Sequence, residues 1–162
     1  MNMDYCMHCG EKLIVKPHPT EGPTPWCPVC GEYRFPVFST AVSMIVTNPA
    51  RDRILLIKQY GRPFYILVAG YVTKGEDAEQ TVVREIREEL DMSVVEYRFN
   101  KSRYFAPTNT LMLNFTAVVA EAEPRPNEEV DAWRWFTLSE ARTVIKPDSL
   151  AREFLFSYLD SL

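Results

Sequence analysis

Two sets of residues in this 162-residue chain have types and spacings that can do chemistry. The first is Cys6-x2-Cys9 and, seventeen residues on, Cys27-x2-Cys30. Glycine follows each pair, at Gly10 and Gly31. Two thiolates at this spacing can grip one metal ion, and glycine permits the tight turn of the loop. Two such loops close a tetrahedral four-thiolate zinc site, which is structural because no position is left for water. The alternatives are two disulfides or reduced structural cysteines. Disulfides need an oxidising compartment, and nothing in the sequence points to export. His8 reads as a solvent-facing residue of the turn rather than a ligand.

The second set is acidic. The stretch GYVTKGEDAEQTVVREIREELDM, residues 70–92, carries Glu76, Glu79, Glu85, Glu88 and Glu89. On a helix, residues three and four apart share a face, so Glu85, Glu88 and Glu89 project together. Val82, Val83, Ile86 and Leu90 form the adjacent apolar stripe, expected to pack on a sheet. Like charges at this spacing cost only a few tenths of a kcal/mol each. A solvated acidic face, eased by an Arg84–Glu88 pair, is therefore one reading. The other is that a cation sits among the carboxylates: hard divalent ions take carboxylate oxygens and keep waters or phosphates as further ligands.

The flanking residues bear on this choice. Gly70, five residues, Glu76, seven residues and then REIREELDM resemble the signature of the Nudix hydrolases, G-x5-E-x7-R-E-U-x-E-E-x-G-U with U aliphatic. Gly70, Glu76, Arg84, Glu85, Ile86, Glu88, Glu89 and Met92 match. Asp91 departs from the family's glycine, at a position where a left-handed backbone is needed and Asp is a tolerated substitute. The resemblance implies an α/β fold, an α/β/α sandwich around a mixed sheet, and hydrolysis of a diphosphate linking a nucleoside to another group with Mg2+ or Mn2+. It implies Glu85 and Glu89 as metal ligands, Glu88 as ligand or base, and an Arg84–Glu76 pair holding the loop to the helix. Aligning Trp135-Phe136 with the family's W-F/Y strand makes Glu129 a further ligand or base. Glu128 and a merely solvated loop acid are the alternatives.

A four-cysteine ribbon before such a domain resembles the NADH pyrophosphatase branch. LVAGYVTKGE is similar to its L-A-G-F-V-E-x-G-E, and PDSLAREFLFSYL to its terminal helix. The resemblance implies a homodimer, with Gly70 and Tyr71 on the substrate side and Phe105 in place of a tryptophan. Stacking of a base on such rings contributes roughly 1–3 kcal/mol. The branch's S-Q-P-W-P-F-P-x-S, tied to dinucleotide choice, is here SRYFAPTNT, residues 102–110. The substrate class is therefore left as a small nucleoside diphosphate derivative, NAD(H)-like, ADP-ribose-like or a nucleotide sugar.

These residues need elements to position them. A zinc ribbon is expected over 1–36, with Lys16–Trp26 as a proline-rich loop, and the hydrolase domain over 37–162. Strands are expected at 39–48, 53–60, 64–70, 93–99, 110–122 and 133–136. A helix is expected over 77–90, and two more after 137, with Ser139 and Asp148 or Ser149 as candidate N-caps. The net charge of −4 argues against bulk nucleic-acid binding, although a capped RNA end can still enter as substrate. No apolar run reaches membrane-spanning length and residues 1–10 do not read as a signal peptide, so a cytoplasmic location is expected. The rival to an enzyme is a ligand sensor or nucleic-acid-binding regulator. Such a protein has usually lost acidic positions, and here all are present.

Overall fold

A computed structural model describes residues 4–120 and 123–162. By internal contacts the chain divides into two compact units, Met1–Phe38 and Ser39–Leu162. The first unit is a three-stranded antiparallel sheet: β1 (Ile14–His18), β2 (Gly22–Cys27) and β3 (Glu32–Tyr33). The proline-rich stretch, expected as a loop, is thus a hairpin. Pro17 pairs with Pro23 and Pro25 with Val15 on strands short enough to spare the missing N–H donors. Trp26 and Tyr33 meet edge to face at 4.7 Å, and Lys16 lies 3.8 Å over the Trp26 ring.

The second unit is a six-stranded mixed sheet. Its strands are β4 (Ser39–Thr47), β5 (Arg53–Gln59), β6 (Val68–Tyr71), β7 (Val94–Phe105), β8 (Thr110–Val119) and β9 (Val130–Thr137). The order is β7-β8-β4-β5-β9, with β6 paired to β4. Only the β4–β8 pairing is parallel. Helix α1 (Ala78–Leu90) covers one face, and α2 (Leu138–Val144) and α3 (Leu150–Leu159) the other. The expected three-layer sandwich is what forms. β4 is central because its side chains are apolar in both directions. Val42, Met44 and Val46 join the α1 core, and Ile45 joins the α2–α3 core.

Some boundaries differ from the sequence reading. β7 runs on to Phe105 across a bulge at Phe99/Lys101, and β9 starts at Val130. β8 ends at Val119; Glu121 and Ala122, expected at the end of that strand, lie outside the described residues. Thr137, not Ser139, caps α2, accepting from the Glu140 N–H, while Ser149 caps α3. On α1 the apolar stripe is Val82, Ile86 and Leu90, all fully buried, whereas Val83 is exposed. Burying three such side chains contributes about 1.5–3 kcal/mol each, which exceeds the repulsion among the helix's glutamates several-fold. Among the described residues no helix is long and apolar enough to cross a membrane.

α1 ends at Asp91, with φ 52° and ψ 42° and its N–H bonded to the Arg87 carbonyl. This left-handed cap costs an L-residue about 1 kcal/mol, which glycine avoids. Asp91 gains little in return from an exposed ion pair to Arg125 at 3.9 Å. Asp91→Gly is expected to raise stability by about 0.5–1 kcal/mol in urea unfolding. An equal or lower stability would mean that the aspartate side chain compensates for its backbone.

Candidate active site and metal centre

β6 delivers the chain to a short loop, residues 72–77, and α1 follows. The loop is fixed by Glu76. Its carboxylate accepts from Arg84 Nε at 2.6 Å and Nη2 at 2.9 Å, from the Thr73 hydroxyl at 2.7 Å and from the Thr81 hydroxyl at 3.1 Å. These bonds, Arg84's first, hold the Glu76 carboxyl down at about 2. Arg84 Nη1 also donates to Glu85 at 2.7 Å and Glu88 at 2.9 Å, and Nη2 to the Tyr71 carbonyl at 3.1 Å. Gly70 lies directly beneath Glu85. A Cβ there would stand 2.0 Å from the Glu85 carboxyl carbon, so only glycine lets that side chain lie across β6.

Glu89, one helical turn beyond Glu85, has a different setting. It is 4% exposed, and its hydrogen-bond partner is a neutral amide, Gln59 Nε2 at 3.0 Å. Burial first, then the charge of Glu85, and further those of Glu129 and Glu88, push its carboxyl up to about 8. Burial also raises Glu85, against the pull of Arg84. Glu129 reaches the cluster from the segment before β9. That segment is tied to α1 by the Arg125 N–H on the Leu90 carbonyl and the Asn127 N–H on the Glu89 carbonyl. The Glu129 carboxylate accepts from the Tyr60 hydroxyl at 2.8 Å.

Glu76, Arg84, Glu85, Glu88, Glu89, Glu129 and Gly70 are therefore brought together, with the exposed Tyr71 beside them. Phe105 is not brought there. It lines a groove of about 690 Å3 with Arg152 and Phe156 of α3, on the sheet face opposite α1. The sequence reading missed Gln59 and Tyr60. The available signal was a lone buried-side amide closing the apolar run RILLIK.

The donor set suits a hard divalent cation. Arg84 engages one oxygen each of Glu85 and Glu88, and Gln59 one of Glu89; among the described residues the second oxygen of each is open to a further partner. Bringing a cation would relieve the buried, like-charged Glu89. In the first unit, the Cys6 and Cys30 sulfurs lie 3.9 Å apart and those of Cys9 and Cys27 3.5 Å. All four fall within 4.8 Å of one another. A tetrahedron with 2.3 Å metal–sulfur bonds has edges of about 3.8 Å. Gly10 and Gly31, at φ 76° and 68°, close the two turns by N–H bonds to the Cys6 and Cys27 carbonyls.

A family model of the NUDIX domain matches residues 37–156. The chain belongs to the Nudix hydrolase family. Curated relatives named NAD-capped RNA hydrolase NudC, from Pseudomonas aeruginosa and Stutzerimonas stutzeri, are 31% and 32% identical over 158 and 160 residues. The matches cover 96% of this chain and 55% of each relative, so this Nudix chain spans about half the length of the curated relatives it matches. The crystal structure of a NUDIX hydrolase from Nitrosomonas europaea superposes with TM-score 0.69 at 22% identity, covering 98% of this chain and 92% of that one. The NUDIX domain of Shewanella oneidensis NrtR, complexed with ADP ribose, gives 0.61 at 16%, covering 84% and 92%. At these identities the structures share the Nudix fold alone.

The buried glutamate gives a pH signature. Without divalent metal, folded Glu89 holds its proton to about pH 8, whereas an unfolded glutamate loses it near 4.3. Its contribution to stability is thus complete below about pH 4.3 and is lost as the pH rises to about 8. In protein free of magnesium and manganese, Glu89→Gln should match wild type near pH 4 and exceed it at pH 8.5 by roughly 2 kcal/mol or more. Equal urea midpoints at pH 8.5 would mean that Glu89 ionises in a well-solvated setting.

Proposed function

We propose that this Nudix chain hydrolyses the diphosphate bond in a nucleoside diphosphate linked to another moiety, with an NAD(H)- or ADP-ribose-like group. The observation that carries the reading is Glu89: a buried carboxylate among like charges, with a neutral amide as its hydrogen-bond partner. Glu85, Glu88 and Glu89 would hold Mg2+ or Mn2+ through their open oxygens, and Glu129 is the further ligand or base. A cation held by these residues would supply charge neutralisation at the diphosphate and a more acidic attacking water. Arg84 and Glu76 act by position, keeping the loop and the carboxylates in register. Gly70 leaves Glu85 its place, and the exposed Tyr71 ring is the surface for a base. The activity in the relatives' name and the ADP ribose in the NrtR complex support the substrate class. The SRYFAPTNT stretch departs from the NADH motif, so the substrate class takes in NADH, NAD+ and ADP-ribose alike.

In the same reading, residues 1–36 are a zinc ribbon, with Cys6, Cys9, Cys27 and Cys30 on one structural Zn2+, and 37–162 are the catalytic domain. The convergence of the four sulfurs supports the zinc. The protein is taken as a cytoplasmic homodimer acting on a small molecule.

Hydrolysis of NADH, NAD+, ADP-ribose, nucleotide sugars and NAD-capped RNA with Mg2+ or Mn2+ tests the activity. At least one should be cut, and Glu89→Gln should lose roughly 100-fold or more in kcat. Binding without cleavage of any of them would make the chain a sensor. For the ribbon, metal analysis should give one zinc per chain. Cys27→Ser should lose the metal and the hydrogen-exchange protection of the first unit. Full protection in a zinc-free protein would leave thiol packing as the unit's support.

A further inference from the structure

Consecutive residues of a strand point to opposite faces. β5 keeps this rule through Gln59, which follows Leu55 and Ile57 onto the α1 face, and the chain leaves the strand at Tyr60. The pairing of β5 with β9 shifts register between Lys58 and Gln59, and the backbone then turns left-handed at Tyr60 (φ 56°) and Gly61 (φ 67°). The extra residue of this bulge is Asp131 on β9, and the left-handed turn at Tyr60 ends the alternation of β5. From the α1 face of the strand Gln59 Nε2 donates to Glu89 at 3.0 Å, and from the turn the Tyr60 hydroxyl donates to Glu129 at 2.8 Å. The Gly61 N–H closes the turn onto Asp131 Oδ2 at 2.6 Å.

We infer that Gln59 and Tyr60 are positioning residues, a two-pronged fork that fixes the separation of the Glu89 and Glu129 carboxylates. The inference rests on the proposed function, in which those two carboxylates work at the reacting centre. Three observations carry it. The backbones are already joined, because the Asn127 N–H bonds the Glu89 carbonyl and the Glu129 N–H bonds Asn127 Oδ1 at 3.0 Å. Neither bond orients the carboxyl groups; the fork does. Both prongs are neutral donors. They orient oxygens while leaving the negative potential for a cation, whereas an arginine in their place would quench it. Finally, Tyr60 carries a left-handed backbone, uncommon for a residue other than Gly, Asn or Asp and costing roughly 1–2 kcal/mol. Such strain persists where its surroundings impose it, and it concentrates at functional sites.

The test is a double-mutant cycle of Tyr60→Phe and Glu129→Gln, read in kcat and KM. Mn2+ affinity is measured in parallel by electron paramagnetic resonance on the protein with the metal alone. Tyr60→Phe removes one exposed hydroxyl, so its melting temperature should stay at the wild-type value. It should lower kcat about tenfold with KM unchanged, and weaken Mn2+ binding about tenfold. Neither loss should deepen when it is added to Glu129→Gln. Gln59→Leu should show the same coupling to Glu89→Gln. Additive losses, or a Tyr60→Phe protein identical to wild type in both readouts, overturn the fork. If wild type cleaves no substrate, the proposed function fails while the Mn2+ cycle still decides the inference: coupling sustains the fork, and its absence overturns it.

Discussion

All five N–H groups of one guanidinium are spoken for at this site. Arg84 gives two to Glu76, shares others between Glu85 and Glu88, and reaches the backbone of Tyr71. A guanidinium has five such donors in a fixed plane, so the groups it meets are set in one arrangement relative to each other. The end of β6, the following loop and the middle of α1 are joined through this side chain. Without it, three carboxylates would face one another across a loop held by the Thr73 and Thr81 hydroxyls alone among its side-chain bonds to Glu76 in the described residues.

The arrangement divides the acids into two classes. Glu76 is heavily hydrogen-bonded and serves the fold. Glu89 is buried deeper, and among the described residues its hydrogen-bond partner is a neutral amide. A protein that needed merely a stable helix end would gain from an apolar residue here, because burying a carboxylate costs several kcal/mol without good compensation. The helix bears this because Val82, Ile86 and Leu90 anchor it to the sheet. The instability at one position is thus supported by packing at three others. The opposite face, under α2 and α3, carries no part of this cluster.

The signature glutamates, the cysteine pairs and the sandwich architecture were legible because each depends on local spacing: a helical face, a thiolate turn, an apolar run. Asp91 could be read as left-handed for the same reason. What escaped depends on tertiary register. Phe105 was assigned from alignment to a motif, but strand alternation carries it to the α3 face. Pro17, Pro23 and Pro25 suggested a loop, yet Pro17 pairs with Pro23 and Pro25 with Val15 on a hairpin short enough to spare their missing donors. Val83 fits an apolar stripe in sequence and lies outside it by one helical step. Gln59 lies on the α1 face by plain alternation but meets Glu89 only through the tertiary fold, and Tyr60 is aimed by a left-handed turn that composition does not show.

The parallel pairing of β4 with β8 has a kinetic consequence. Asn114 on β8 donates to the Ser43 carbonyl on β4 across a sequence separation of 71 residues, and the whole central ladder is built at that distance. Closing so long a loop is entropically costly, and non-local parallel contacts slow folding. The hairpin of β7 and β8, the α1 helix and the cysteine turns are all local and can form early. The sheet that seats α1 is complete only when β4 finds β8, so the cluster of glutamates should be among the last features of the molecule to acquire its final environment.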